Sequence, residues 1–306
     1  MLPILAGMAA IILLGVLWRL ILGGKNAETI RSHLAKAVYE IFLPALVLHV
    51  MWQTVIDLNV LRVPVVASIG ILVSLLAAAL IYGDGNRLGG KRAAGAMLLA
   101  ASFGNVTYLG LPVLTQTFGP WAQSIAIPYD LFASTPLLFT VGIMVAQQYG
   151  NAGKNPLHPG IEVLRVPAIW AAVLGVLASI LAVPMPPWLD ETLGVLGAAV
   201  IPLMLLSVGM AMRWQSGWAS RIPVLLPVIV IQLVFMPLVV WGACIGVDMP
   251  ENYLAPAILE GAMPCMVLGL VVCDRFKLDS SLYAEAVTVT TALSLISLPI
   301  WLSIIR

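Results

Sequence analysis

The sequence predicts an all-α integral membrane protein: ten transmembrane helices arranged as two inverted five-helix repeats, with broken helices at the fourth and ninth spans. Three observations predict it. Of 306 residues, 61% are hydrophobic and 9% charged, and mean hydropathy is +1.04, whereas a soluble domain carries roughly 25% charged residues. Apolar runs of about 20 residues, each long enough to cross a ~30 Å hydrocarbon core as a helix, recur along the whole length. Landmarks of the first half return in the second at a nearly constant offset.

Taken in order, span 1 (2–22) lacks a basic leading region and a small-x-small cleavage site, so it reads as a retained span and not as a signal peptide. Span 2 (37–56) holds Pro44 and His49, and span 3 (61–82) opens on Arg62-Val63-Pro64. Span 4 (92–118) is long and is interrupted by "GNVTYLGLP"; span 5 (121–147) carries Asp130 between Pro128 and Pro136. Spans 6 (166–184), 7 (190–212) and 8 (222–246) are almost uniformly apolar. Span 9 (252–273) contains Glu260 and Pro264, and span 10 (281–304) begins near Glu285. Turn residues mark the connections: "GGKN", "YGDGNRLGGKR", "YGNAGKNPLHPG", "VPMPPW" and "GVDMPEN". The organisation expected is one repeat over 1–148, a cytoplasmic linker over 149–165 and the second repeat over 166–306.

Charge bias orients the bundle. Arg19, Lys25, Arg31, Lys36, Arg87, Lys91, Arg92, Lys154, Arg165, Arg213, Arg221, Arg275 and Lys277 fall on one face, and only Arg62 and Arg306 on the other. The first face is therefore expected to be cytoplasmic and both termini to lie outside, in the periplasm if the chain sits in a bacterial inner membrane.

The repeat rests on four echoes. "FLPALVLHV" around Pro44 returns as "VIPLMLLSV" around Pro202, and Arg62-Val63-Pro64 returns as Arg221-Ile222-Pro223. "GNVTYLG" at 104–110 returns as "MPCMVLG" at 263–269, and "TFG" at 117–119 as "RFK" at 275–277. The offsets are 158 or 159. Five spans per copy is an odd number, so the copies face opposite ways, a design common among secondary transporters whose sites lie near the midplane at matched broken spans. Proline cannot bond the carbonyl four residues back. Pro112 is expected to free the carbonyl of Tyr108, and Pro264 that of Glu260, while Gly104 and Gly110 relax the backbone around Asn105. Freed carbonyls can ligate a cation and half-helix N-termini can hold an anion.

Ionisable groups at bilayer depth are functional candidates because they are costly there. Glu260, four residues before Pro264, reads as a coupling-ion or proton site or else as a structural hydrogen bond; Asp130 carries the same two readings. His49 reads first as a satisfied interior histidine and second as a proton relay. Glu40 and Glu285 lie near the cytoplasmic end, where they could snorkel or pair with Lys36 and Lys277, and Glu285 is also a coupling-ion or proton candidate. Asn105, with donor and acceptor, and Tyr108, with ring and hydroxyl, are the best substrate contacts.

"GNVTYLGLPVL" resembles the N-x-G-x-x-G-x-P signature in the fourth span of the auxin efflux carrier family, the bacterial relatives of the plant PIN exporters. "GAMPCMVLGLVVCDRFKLD" at 261–279 is similar to that family's ninth span and "IPLMLLSVGMAM" at 201–212 to its seventh. The resemblance implies a scaffold of spans 1, 2, 6 and 7, which would hold His49, and a moving unit of spans 3–5 and 8–10 with helices 4 and 9 crossing at its centre. It further implies carriage of a small organic anion, auxin-like or a dicarboxylate, by an elevator motion, with no cofactor beyond a sodium ion or proton. Homodimerisation through the scaffold follows by analogy. The substrate would meet Asn105, Thr107 and Tyr108 from span 4 and Met263, Pro264 and Cys265 from span 9. Two positions depart from the family pattern. Thr107 stands in place of a glycine, and Cys265-Met266-Val267-Leu268 replaces a more polar run, so span 9 offers mainly backbone and apolar contacts.

Other classes fit to different degrees. A sodium-coupled carrier of bile-acid-like amphipathic acids shares the ten-span plan but calls for more Asn, Ser, Thr and Gln around span 9. A sensor that binds such ligands without moving them is compatible with the same sequence. "GNRLGGKR" at 85–92 imitates a phosphate loop, yet Arg92 stands where Ser or Thr must hold magnesium and no strand precedes it. No H-E-x-x-H or G-x-S-x-G motif points to an enzyme, and a net charge of +1 without a basic patch gives no footprint for nucleic acid. Cys244, Cys265 and Cys273 lack metal-like spacing and read as small buried hydrophobes.

Overall fold

The structure is a computed structural model that describes residues 2–84, 89–151, 161–212 and 221–305. Within these the chain is helical, with no strand beyond one isolated antiparallel bridge. Six continuous helices are long and apolar enough to cross a membrane: Asn26–Gln53, Leu58–Tyr82, Pro120–Tyr149, Pro187–Ala211, Ile222–Gly246 and Ser280–Ile305. Two shorter apolar helices, Ala6–Leu22 and Pro167–Ile180, accompany them. The remaining apolar stretches are split in two. Helix α5 (Lys91–Ser102) is separated from α6 (Leu111–Phe118), and α15 (Glu251–Gly261) from α16 (Gly269–Phe276).

The other elements are α1 (Leu2–Leu22), α2 (Gly24–Ala37), α3 (Leu43–Gln53), α4 (Leu58–Tyr82), α7 (Gln123–Tyr129), α8 (Thr135–Leu137), α9 (Ile143–Tyr149), α10 (Pro167–Ile180), α11 (Pro187–Ala198), α12 (Val200–Ala211), α13 (Ile222–Val230), α14 (Met236–Gly246) and α17 (Ser280–Ile305). Several of these are one helix interrupted by a wide π turn. Four such turns, Val38–Phe42, Val106–Gly110, Asp130–Ser134 and Ile231–Phe235, each end two residues before a proline: Pro44, Pro112, Pro136 and Pro237. A proline offers no N–H to the carbonyl four residues back and its ring presses on it. Shifting the ladder to a five-residue reach just before the proline removes the conflict. Thus Leu43, Leu111, Thr135 and Met236 donate to the carbonyls of Val38, Val106, Asp130 and Ile231.

This corrects one expectation. Pro112 does not break the fourth apolar stretch, because the π turn absorbs it inside the first turn of α6. The break falls at Phe103–Asn105, where φ and ψ reach −112° and 108° at Phe103 and −82° and 58° at Asn105. Nor is the Glu260 carbonyl left free, since it accepts the Met263 N–H at 3.3 Å.

Loops gather at two ends. At one, the Tyr149 hydroxyl donates to the Gly83 carbonyl (2.8 Å), that of Tyr82 to the Val224 carbonyl (2.6 Å), and the Asp279 N–H to the Arg92 carbonyl (3.2 Å). At the other, Trp52 donates to the Val183 carbonyl (2.8 Å) and Arg62 to that of Asp248 (2.8 Å). Among the described basic residues, Arg92, Arg221 and Lys277 make their contacts at the first end and Arg62 at the second. Arg87, Lys154, Arg213 and Arg306 lie outside the described residues.

Packing divides the helices into two neighbourhoods. The most extensive contacts join α3 to α10 and α1 to α12, with α11 on α3 and α2 on α12. Separately, α4 packs on α5, α7 and α14, while α15 packs on α14 and α7 and α17 on α5. Close approach in the first group needs small residues. A Cβ on Gly15 would lie 3.1 Å from the Gly209 Cα, and one on Gly209 equally close to the Gly15 Cα.

Candidate functional site

The two breaks meet. The Asn105 N–H donates to the Pro264 carbonyl at 2.7 Å and the Met266 N–H to that of Phe103 at 2.9 Å, flanking the antiparallel bridge between Gly104 and Cys265. Each unwound segment thereby satisfies the other's backbone, which burial would otherwise leave orphaned. Side chains from neighbouring helices brace the second break. Gln232 donates to the Met263 carbonyl (2.8 Å), Tyr283 to the Met266 carbonyl (2.8 Å), and the Cys265 N–H bonds the Thr290 hydroxyl (3.1 Å).

Beside this junction lies a cleft of about 470 Å³, lined by Asn105, Thr107, Tyr108, Asp130, Thr135 and Tyr39 together with Leu43, Leu131, Val166, Ala168, Met266 and Leu268. Asp130 is the only acidic group among these lining residues. Thr107 donates to its Oδ2, and Thr135 donates to Oδ1 at 2.9 Å. The Asn105 amide nitrogen is buried with no hydrogen-bond partner among the described residues, so the side chain has donors to spare at the cleft wall. An unsatisfied buried donor costs about 1–3 kcal/mol, a penalty that a bound acceptor would relieve.

The residues anticipated from the sequence thus separate. Asn105, Thr107, Tyr108 and Asp130 share one cleft. Met263, Pro264 and Cys265 do not line it; they are fully or nearly buried and serve the junction through their backbones, while Met266 and Leu268 take the place on the wall. Gly104 forms the bridge. Gly110 lets Glu260 lie against its Cα, since a Cβ there would run into that carboxylate. Glu260 is 0% exposed, and neither of its oxygens has a partner among the described residues. His49 sits elsewhere, 2.7 Å from Asp190 at the second end of the molecule, with Gln53 on the same carboxylate oxygen. Glu285 pairs with Arg221 at 3.0 Å and not with Lys277, and Glu40 pairs with Lys36 at 3.8 Å. All three cysteines are buried and free.

Sequence reasoning missed Tyr39, Thr135 and Met266 at the cleft, and Gln232, Tyr283 and Thr290 behind the junction. Thr135 carried no readable signal, because a spacing of five residues leaves the α-helical face of Asp130, and only the π turn over Asp130–Ser134 brings it round. A second, larger recess of about 820 Å³ lies toward the other end, walled by Gln53, Thr54, Asp57, Trp121, Ser124 and Tyr253. Leu43, Val47, Leu111 and Ile127 pack around a smaller space that also touches Asp130, and α3 contributes to the walls of all three.

Comparison with known proteins points to membrane transport. A family model described as "membrane transport protein" matches residues 159–302. An uncharacterized transporter of Methanothermobacter thermautotrophicus is 27% identical over 301 residues, covering 95% of this chain and 94% of the relative. Another, from Methanocaldococcus jannaschii, is 24% identical over 80% of this chain and 79% of its own length. The uncharacterized transporter YfdV of Escherichia coli K12 is 19% identical over 68% and 67%. With a multi-helix apolar body, a membrane-transport family model over its second half and transporter relatives aligned along nearly its full length, the chain is a membrane transporter similar to the auxin efflux carrier family.

Proposed function

We propose that the protein is a secondary carrier for a small organic acid, auxin-like or a dicarboxylate, working by an elevator type of alternating access. The observation that carries this reading is the hydrogen-bonded junction of two interrupted helices beside a cleft lined by Asn105, Thr107, Tyr108 and Asp130. In the reading, ten segments cross a bacterial inner membrane as two inverted repeats, with both termini outside. The junction itself supports the repeat: Asn105 and Pro264, joined by one backbone hydrogen bond, are equivalent positions at the offset of 159. Two inverted copies related by a twofold axis bring equivalent residues face to face at that axis.

The packing neighbourhoods support a division of labour. Helices α1–α3 and α10–α12 would form the scaffold, with any homodimer built through it. Helices α4–α9 and α13–α17 would carry the junction across. Asn105, Thr107 and Tyr108 are the proposed substrate contacts, with Glu260 and Asp130 as sites for a coupling sodium ion or proton.

Purified protein reconstituted in proteoliposomes should take up labelled succinate, malonate or indole-3-acetate in a saturable manner. Asn105→Ala should lower uptake at least tenfold while keeping the wild-type elution profile and melting temperature. Wild-type flux in that variant removes the junction from the substrate path. Saturable binding without flux for every acid tried would make the protein a sensor.

A further inference from the structure

The charge in the cleft is of the wrong sign for an anion. Among the described residues that line it, Asp130 is ionisable and no Lys, Arg or His is present. Glu260, fully buried against Gly110, adds a second carboxylate near the junction. Arg31 on α2 reaches Tyr108 electrostatically, but its guanidinium is already bonded to Glu28. The surroundings of Asp130 offer no compensation. Its own turn packs on α4, whose one charged residue, Arg62, is engaged at the far end with Asn59 and Asp248. The turn also packs on α7, which brings Tyr129, on α8, and on α10, which has no charged residue. Tyr39 and Tyr108 add two hydroxyls to the lining, and the nearby acids Glu40 and Glu162 pair with Lys36 and Arg165. A carboxylate cargo entering here with Asp130 ionised would place two like charges in one low-dielectric cleft, an arrangement that strongly favours protonation of one member.

We propose that Asp130 carries a proton whenever the cargo is bound, so that acid and proton cross the membrane together in one cleft. This rests on the carrier reading above and extends it by assigning the coupling ion, its site and its direct contact with the substrate. The step is a simple exchange. A proton from water on the loading side binds one Asp130 oxygen, its O–H donates to the cargo carboxylate, and on the far side both leave to water, restoring the ionised Asp130. Thr107 and Thr135 hold the carboxyl group in place in both states, and the Asn105 amide N–H groups supply further donors to the cargo. One proton accompanies each cargo molecule.

The test uses the full-length protein in proteoliposomes loaded with a pH-reporting dye, with succinate as the probe. Wild-type uptake should acidify the lumen in step with succinate entry. Its affinity at subsaturating proton should weaken about tenfold per unit rise in external pH between 6.5 and 8.5, as protonation of a single group requires. In Asp130→Asn the pH dependence of binding and the cargo-linked acidification should both vanish. Wild-type uptake without acidification overturns the proposal, as does a pH profile that survives in Asp130→Asn. The two wild-type measurements stand even where the variant fails to fold. Saturable flux without proton movement sinks only this inference, whereas no saturable flux of any acid sinks the carrier reading with it.

Discussion

At the level of single residues, the notable feature is how closely small and polar groups are matched around the junction. Gly110 faces the Glu260 carboxylate, and its counterpart at the offset of 159, Gly269, faces the Tyr283 hydroxyl; at both, a Cβ would collide with that side chain. Gly110→Ala is therefore expected to destabilise the protein by about 1–3 kcal/mol, the usual cost of overpacking a well-filled interior. Thermal melts in detergent measure this, and Glu260→Ala in the Gly110→Ala background should recover part of the loss. Equal loss in the double variant would show that the collision lies elsewhere. The prolines follow a similar logic. Pro44, Pro112, Pro136 and Pro237 follow π turns that absorb the missing donor, so at these four positions a proline marks a widened helix and not a broken one.

At the level of elements, two features decide how helices begin and dock. Helix α4 starts at Asp57, whose Oδ1 accepts the N–H groups of Asn59 (2.9 Å) and Val60 (3.0 Å). These bonds, the one from Val60 foremost, hold the exposed Asp57 carboxyl below its ordinary range. A depressed folded-state pKa contributes stability that is present above the unfolded value, about 3.9, and is lost as pH falls through the folded one. Asp57→Ala should thus cost about 1 kcal/mol at pH 7, and the gap in melting temperature should close as pH drops below about 4. A gap that persists at low pH would assign the loss to packing. Docking of α1 on α12 depends on Gly15 and Gly209, each leaving no room for a Cβ against backbone of the other helix. Gly209→Leu should separate these helices and lower the yield of folded protein, as read by size-exclusion profile, while the same change at Gly242, where nothing lies within 4 Å, should be tolerated.

At the level of the whole molecule, the two packing neighbourhoods meet along the cleft. Leu43 at the start of α3 and Leu131 after α7 line it from different neighbourhoods, whereas Leu46 and Gly197 belong to one. After replacement of the three buried native cysteines, Leu43→Cys with Leu131→Cys bridged by a bifunctional thiol reagent should lower flux at least tenfold. The pair Leu46→Cys and Gly197→Cys, where a Cβ on residue 197 lies 3.5 Å from the Leu46 Cβ, suits a disulfide and should leave flux nearly intact. Flux that survives the first cross-link means the neighbourhoods do not move past each other.

The membrane-protein class, the positions of the apolar segments and the helix interruption at Asn105 were legible in the sequence because each rests on local chemistry. A run of apolar side chains has few alternatives to a membrane helix, and Gly, Asn and Pro together weaken a helix wherever they stand. The pairing of one break with its counterpart, and the placement of Asp130 beside Asn105 although they are 25 positions apart, came from tertiary structure. Periodicity says that a residue is buried but not which distant backbone satisfies its hydrogen bonds. For the same reason the partner of Pro264 could not be read from sequence. The Pro264 carbonyl closes the junction with Asn105, while Met266 and Leu268, unremarkable as apolar residues in an apolar span, are the ones that face the cleft.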